Sequence, residues 1–329
     1  MTVALGERSY PILVGEGAAG RVGEFVRGRA LVVRDSRAPA LLELDAPELT
    51  LDGGEDVKTL ACLGKVLAAL ESASVGRDGT VVAVGGGSIG DLAGLAASLW
   101  QRGVALVQVP TTLLAMVDAA IGGKTAINTE RAKNAIGSFW QPRAVLADLR
   151  FLASLPELEL RSAYAEIVKY DMTLDPGLSE VEEIEEVVAR AAAAKARIVA
   201  ADEREGGERE VLNYGHTAGH AIEAAAGFAI AHGVAVAAGM RVAARLSAAS
   251  GACAMDLVAL QDELLARHGL PGPLPAIAPE EVLRRLPSDK KTRGGRPRWV
   301  LLRERGRAEP GHEVDEGLVR TALAEILEG

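Results

Sequence analysis

A glycine-rich turn set between a strand and a helix narrows the fold more than any other feature of this chain. Val81-Val82-Ala83-Val84 runs into Gly85-Gly86-Gly87-Ser88-Ile89-Gly90-Asp91, and a helical pattern follows. Four aliphatic residues in a row predict a strand buried on both faces. GxGxxG at Gly85, Gly87 and Gly90 lets a pyrophosphate approach the backbone at a helix N-terminus, where N–H groups and a partial positive charge meet it. The same glycines also serve as a tight packing turn, so the turn points to a dinucleotide without establishing one.

Around the turn, β-branched runs at residues 10–14, 30–34, 80–84, 104–109 and 144–148 read as buried strands. Helical spacing at 60–73 and 91–100 lies between them. Such alternation predicts a mostly parallel sheet with helices on its faces. After Leu155-Pro156 the pattern becomes helical, at 157–170, 179–201, 215–226, 234–249, 257–268 and 316–327. A Pro/Gly-rich connection falls at 269–279, a basic stretch at 289–298 and one late strand candidate at 298–302. With 329 residues, two domains are expected: an α/β, Rossmann-like domain over 1–155 and an all-α domain over 156–329. Aromatic residues make up only 3%, so both cores must be built from Ala, Val, Leu and Ile.

The net charge of -9 and the scatter of basic residues argue against nucleic acid or a membrane surface as partner. An anionic substrate then needs a local cationic pocket. Cys62 and Cys253 stand far apart and outside CxxC spacing, which suits a reducing compartment. The first fifteen residues lack a basic flank followed by an apolar core, and no window is apolar enough for a membrane helix. A cytoplasmic location is the expectation.

Only five histidines occur, and three of them fall within seventeen residues: His216, His220 and His232. The i, i+4 pair shares a helical face, which suits zinc; a catalytic ion commonly takes three N/O ligands and keeps a position for a substrate oxygen. The best carboxylate lies in Ala165-Glu166-Ile167-Val168-Lys169-Tyr170, where Glu166 and Lys169 share a face of an otherwise apolar helix. Cations recur after predicted strand ends, at Arg102, Lys124 and Lys133-Asn134. Gly122-Gly123-Lys124-Thr125 looks like the tail of a P-loop, but Asp118 stands where that motif needs glycine, which excludes it. A phosphate held by Arg102, Lys124, Lys133 and Asn134 fits better, since phosphate rewards several charged donors. The strand after the glycine turn ends in Val107-Gln108-Val109-Pro110 and brings no acid to a ribose, leaving Asp35, Glu55 and Lys58 as candidates.

Together these segments resemble the 3-dehydroquinate synthase family from Leu5-Gly6-Glu7-Arg8-Ser9-Tyr10 to Asp289-Lys290-Lys291. The strongest are residues 85–94, 109–115 and 122–125, and Leu212-Asn213-Tyr214-Gly215-His216-Thr217-Ala218-Gly219-His220-Ala221-Ile222-Glu223. The resemblance implies that Glu166, His216 and His232 hold zinc, or cobalt in its place, with His220 near the substrate phosphate. It implies phosphate binding by Lys124, Asn134, Arg102 and one of Lys290 or Lys291, with Arg102 offered by a neighbouring subunit of a homodimer. Lys195 and Arg209 would grip a substrate carboxylate, while Asp118, Lys169 and Asn213 would bind hydroxyls. NAD would lie along Gly54, Glu55 and Lys58, along Gly87, Ser88, Ile89, Gly90 and Asp91, and at Thr111-Thr112, with Lys133 near it. The active site would occupy the cleft between the domains.

The implied reaction converts 3-deoxy-D-arabino-heptulosonate 7-phosphate into 3-dehydroquinate and phosphate, a step of aromatic amino acid biosynthesis. Ala119-Ala120, Ser88, Ser162-Ala163-Tyr164 and Asp171-Met172-Thr173 depart from the commonest family pattern. None removes an expected functional group. They leave room for a sister cyclase of the amino-dehydroquinate synthase type, beside which stand a metal-dependent polyol or glycerol-phosphate dehydrogenase and a non-catalytic NAD-binding protein.

Overall fold

A computed structural model describes residues 1–130, 132–270, 272, 274, 277–286 and 297–327. Two compact units emerge, the first formed by Met1–Pro156 with Ile184–Glu203, the second by Glu157–Glu183 with Arg204–Gly329. The first differs from the segment expected over 1–155 by reclaiming a helix from the second half.

In the first unit the strands are β1 (Thr2–Val3), β2 (Tyr10–Val14), β3 (Ala30–Asp35), β4 (Glu48–Leu51), β5 (Thr80–Gly85), β6 (Ala105–Pro110), β7 (Lys124–Ile127), β8 (Ile136–Phe139) and β9 (Ala144–Ala147). Seven form one sheet in the order β1-β2-β9-β6-β5-β3-β4. Only β1–β2 is antiparallel; every other pairing is parallel. Every residue of β3 and of β5 is buried, as parallel strands covered on both faces must be. β7 and β8 form a separate antiparallel hairpin.

The helices are α1 (Leu60–Ser72), α2 (Gly87–Leu99), α3 (Glu157–Thr173), α4 (Ile184–Ala201), α5 (His216–Ala225), α6 (His232–Ala249), α7 (Met255–Arg267), α8 (Pro279–Arg285) and α9 (Glu316–Leu327). Thr59 caps α1 by accepting the Cys62 N–H at 3.1 Å. Helix α4 belongs with the sheet because Ala192, Ala196 and Val199 on its inner face share a core with Val3, Tyr10, Ile12 and Val145. That burial is invisible to a reading that cuts the chain at a change of pattern. Where one helix was expected over 179–201, a 3-10 turn at Leu178–Glu180 precedes α4.

The second unit is mostly helical but not all-α. Strands β10 (Trp299–Glu304) and β11 (Arg307–His312) pair antiparallel. Trp299 and Leu301 enter a core made by Ala218, Ile222, Val242, Leu246, Val319 and Leu323. The hairpin was legible only in its first strand, since β11 carries proline and glycine in Glu309-Pro310-Gly311. Among the described residues no helix is long and apolar enough to cross a membrane.

Asp171, one of the departures near Glu166, has a structural task in this unit. It is fully buried at the end of α3 and receives Arg305 at 2.6 and 3.0 Å, the Ser179 N–H at 2.9 Å and the Ser179 hydroxyl at 2.8 Å. Burial opposes ionisation, but the guanidinium and the serine donors outweigh it and hold the carboxyl below its ordinary value. A depressed folded-state value stabilises the fold above the unfolded value, and that contribution disappears as pH falls through the folded one. Asp171→Asn should therefore cost about 1.5–3 kcal/mol in urea unfolding at neutral pH, the range for hydrogen bonds to a charged group. The difference from wild type should shrink on acidification; an equal difference at pH 7 and pH 3 would contradict it.

Candidate metal centre and dinucleotide turn

Glu166 projects from the middle of α3, His216 opens α5 and His232 opens α6. Their ligand atoms all lie within 4.8 Å of one another. Glu166 Oε1 stands 3.3 Å from His216 Nε2 and 4.0 Å from His232 Nε2. The other oxygen, Oε2, is in close contact with the Lys169 ammonium one turn along α3. Glu166 and Lys169 are 1% and 2% exposed, so this is a desolvated pair and not a surface stripe. Lys169 also lies 4.8 Å from the Tyr170 ring centroid, a further source of compensation for its burial.

The second ring nitrogens set the orientation of both imidazoles. His216 Nδ1 lies 3.1 Å from the Tyr214 carbonyl, which can only accept, so Nδ1 carries the proton and Nε2 presents its lone pair toward Glu166. His232 Nδ1 faces Glu223 Oε2 at 3.5 Å. Burial pushes His216 down to about 4 despite the nearby Glu166 carboxylate, which keeps the imidazole neutral at physiological pH. A neutral imidazole is the form that binds metal. One carboxylate oxygen and two Nε2 atoms, each backed by a partner of its own, fit the donor set of a divalent ion with positions left for substrate. His220 stands beside them, its ring centroid 5.3 Å from that of His216 and 6.2 Å from that of His232, outside the convergent set. Glu223 is a partner that the histidine motif does not announce; its place one turn after His220 is the signal the sequence carries for it.

In the same unit, Arg209 is buried in the 3-10 segment Glu208–Asn213, and Asn213 Nδ2 donates to Glu205 at 3.0 Å. Lys290 and Lys291 lie outside the described residues.

In the first unit, α2 starts at Gly86 with no side-chain cap. A Cβ on Gly87 would come within 2.9 Å of the Ala119 methyl, which leaves no room for a side chain, and one on Gly90 within 2.8 Å of Gln108 Oε1, the far end of a side chain that would have to move aside. Gln108 Nε2 donates to the Gly90 carbonyl at 3.2 Å, and the Thr111 N–H to the Gly85 carbonyl at 3.0 Å. The Gly54 N–H donates to Ser88 Oγ at 3.3 Å, tying the 53–58 loop to the turn. Ile89 is fully buried, so its side chain faces the core and only its backbone can serve a ligand. Thr112 Oγ1 accepts the Ala115 N–H at 3.2 Å.

Lys58, 3% exposed, pairs with Asp91 Oδ2 at 2.7 Å and lies in close contact with Asn134 Oδ1. Burial pushes the Asp91 carboxyl up to about 6 against the pull of that ammonium. Asn128 joins the group unforeseen: its Nδ2 donates to Glu55 at 2.7 Å and its Oδ1 accepts the Asn134 N–H at 2.8 Å. Asp35 is occupied by Arg37, with contacts of 3.0 to 3.2 Å, and by the Gly53 N–H at 3.3 Å. Burial works against its ionisation, yet these donors prevail and hold the carboxyl low.

Lys195 on α4 meets Asp118 Oδ1 at 2.7 Å and the Asp118 carbonyl at 2.5 Å. Asp118 belongs to a single π-helical turn, Ala115–Ala119. Lys124 is exposed at the start of β7, and Asn134 lies in the connection between β7 and β8. Arg102 is exposed in a left-handed turn, and Lys133 is half-buried.

Residues 48–162 match the family described as 3-dehydroquinate synthase N-terminal, and residues 163–292 the one described as 3-dehydroquinate synthase C-terminal. The 3-dehydroquinate synthase of Halorhodospira halophila is 46% identical over 350 residues, covering 98% of this chain and 99% of its own. A solved 2-deoxy-scyllo-inosose synthase in complex with carbaglucose-6-phosphate, NAD+ and Co2+ is 27% identical with a TM-score of 0.89, covering 99% of this chain and 100% of its own. A 2-epi-5-epi-valiolone synthase from Streptomyces hygroscopicus subsp. jinggangensis, with NAD+ and Zn2+ bound, is 27% identical with a TM-score of 0.87, covering 98% of each chain. Matches that continue from residue 48 to residue 292, and a relative aligned along nearly its whole length, make this chain a member of the 3-dehydroquinate synthase family.

Proposed function

We propose that the chain acts as a 3-dehydroquinate synthase with NAD and a divalent ion, zinc or cobalt, held by Glu166, His216 and His232. The convergence of those three ligand atoms on buried helices of a chain from this family is the observation that carries the reading. The reaction converts 3-deoxy-D-arabino-heptulosonate 7-phosphate into 3-dehydroquinate and phosphate in the shikimate pathway. A secondary alcohol is transiently oxidised, the proton beside the new ketone is lost with phosphate, and the ketone is reduced again. The released enol pyranose then opens and closes by intramolecular aldol addition. NAD+ supplies a reversible hydride acceptor, and the ion supplies Lewis acidity at the alcohol oxygen.

The chain's own residues divide the remaining work. Lys169 neutralises one oxygen of Glu166 and leaves the other to face the imidazoles. Along with Asp118 and Asn213, it would hold substrate hydroxyls. Lys195 and Arg209 would grip the substrate carboxylate, and the contact of Lys195 with Asp118 Oδ1 supports the ammonium as an anion partner. Lys124, Asn134, Arg102 and His220 would position the phosphate, with Lys290 or Lys291. The Gly87–Gly90 backbone, Asp91, Lys58, Glu55 and Gly54 would line the NAD site with Thr111, Thr112 and Lys133, while Asp35 would accept a ribose hydroxyl only after exchange with Arg37. A homodimer in the cytoplasm belongs to the same reading, in which Arg102, exposed on this chain, would serve a neighbouring subunit.

Supplied with catalytic NAD+ and zinc, the protein should release phosphate from 3-deoxy-D-arabino-heptulosonate 7-phosphate without accumulating NADH. Steady NADH formation would instead indicate a dehydrogenase, and activity on sugar phosphates lacking the carboxylate a sister cyclase. Glu166→Ala and His232→Ala should each weaken zinc binding by more than about 100-fold, beyond the usual cost of losing a group behind a ligand, while circular dichroism stays unchanged. Wild-type zinc content in both would refute the ligand set. Arg209→Met should lower kcat/KM by about 100-fold, mainly through KM, as expected when one of two charged binding partners is removed. An unchanged KM would remove Arg209 from the carboxylate clamp.

A further inference from the structure

Tyr214 lies between two functional positions, Asn213 and His216, yet its side chain points away from both. It is fully buried, and its hydroxyl stands 2.5 Å from the Gln261 side-chain amide on α7 and 3.3 Å from the Met240 carbonyl on α6. A phenol carries one O–H and can donate once. Turning the Gln261 amide so that Nε2 donates to the phenol oxygen frees that proton for Met240. It also satisfies Nε2, which otherwise has no hydrogen-bond partner among the described residues. Gln261 is itself 0% exposed, and a polar end group buried among helices is costly unless it is used.

The backbone beside Tyr214 has little freedom. Gly215 has φ +78, and a Cβ there would meet the Met240 side chain, the Met240 nitrogen at 2.9 Å and the Val236 carbonyl at 3.1 Å. The chain therefore docks closely on α6, the helix whose first residue is His232. The Tyr214 carbonyl accepts His216 Nδ1–H and so fixes which nitrogen faces Glu166.

From this linkage we propose that Gln261 is a positioning residue for the metal centre. By holding the Tyr214 side chain against α6 and α7, it keeps the Tyr214 carbonyl aimed at His216 and the His216 Nε2 aimed at Glu166. The inference rests on the metal reading above.

The test uses Co2+ alone as probe, with affinity and visible absorption measured on the full chain carrying Gln261→Met, Tyr214→Phe or both. Met keeps the volume of Gln and removes its polar end. Each single variant should bind Co2+ about tenfold more weakly, the lower end for a group behind a ligand, and should shift the absorption bands. The double variant should lose little more than either single, because both break one linkage. Glu166→Ala is the control: if wild type fails to bind Co2+, or Glu166→Ala binds it equally well, the metal reading falls and this inference with it. If that control behaves and Gln261→Met keeps wild-type affinity and spectrum while melting at a lower temperature, Gln261 is only structural and the inference is overturned. Should Gln261→Met not fold, Tyr214→Phe decides by the same two readouts.

Discussion

A carboxylate removed from water must find positive charge or a metal, and that constraint at Glu166 organises the second unit. Its partners come from three helices: Lys169 one turn along α3, His216 at the start of α5 and His232 at the start of α6. Neither imidazole is free to turn, since one is held by the Tyr214 carbonyl and the other faces Glu223. The core of Ala218, Ile222, Val242 and Leu246 between α5 and α6 holds both helix starts in place. Packing thus carries the cost of bringing one acid and two bases within 4.8 Å of one another.

The dinucleotide turn obeys a different constraint, that of space. A Cβ would clash with the Ala119 methyl at Gly87 and would displace the end of the Gln108 side chain at Gly90, before any ligand is considered. The packing account of GxGxxG and the ligand account are therefore both satisfied by the same residues. Beside the turn, a buried Lys58 joined to Asp91 and Asn134, and Glu55 held by Asn128, form a polar group that packing alone would not require.

The strands at residues 30–34 and 80–84 are readable because parallel strands buried on both faces have few alternatives to Val, Ile, Leu and Ala. β4 is not, since Glu48-Leu49-Thr50-Leu51 is short and half exposed at the sheet edge. The β7–β8 hairpin is hard to read for a related reason, its strands being four residues each and largely half-buried or exposed. Asp35 carries no sign in the local pattern of its pairing with Arg37, two residues on, because that contact depends on how the turn after β3 folds back.

By itself the sequence determined the glycine turn, the aliphatic strands, the three histidines, Glu166 and Lys169, because local spacing and residue chemistry suffice to mark them. The motifs running along the chain were enough for the family. Only the tertiary structure decided that α4 belongs with the sheet, that Lys195 meets Asp118, and that Glu223, the Tyr214 carbonyl and Gln261 stand behind the histidines. Those relations join residues that are remote in sequence or point in directions that no local pattern encodes. They are fixed by which buried faces pack together, a property of the folded chain and not of any one segment.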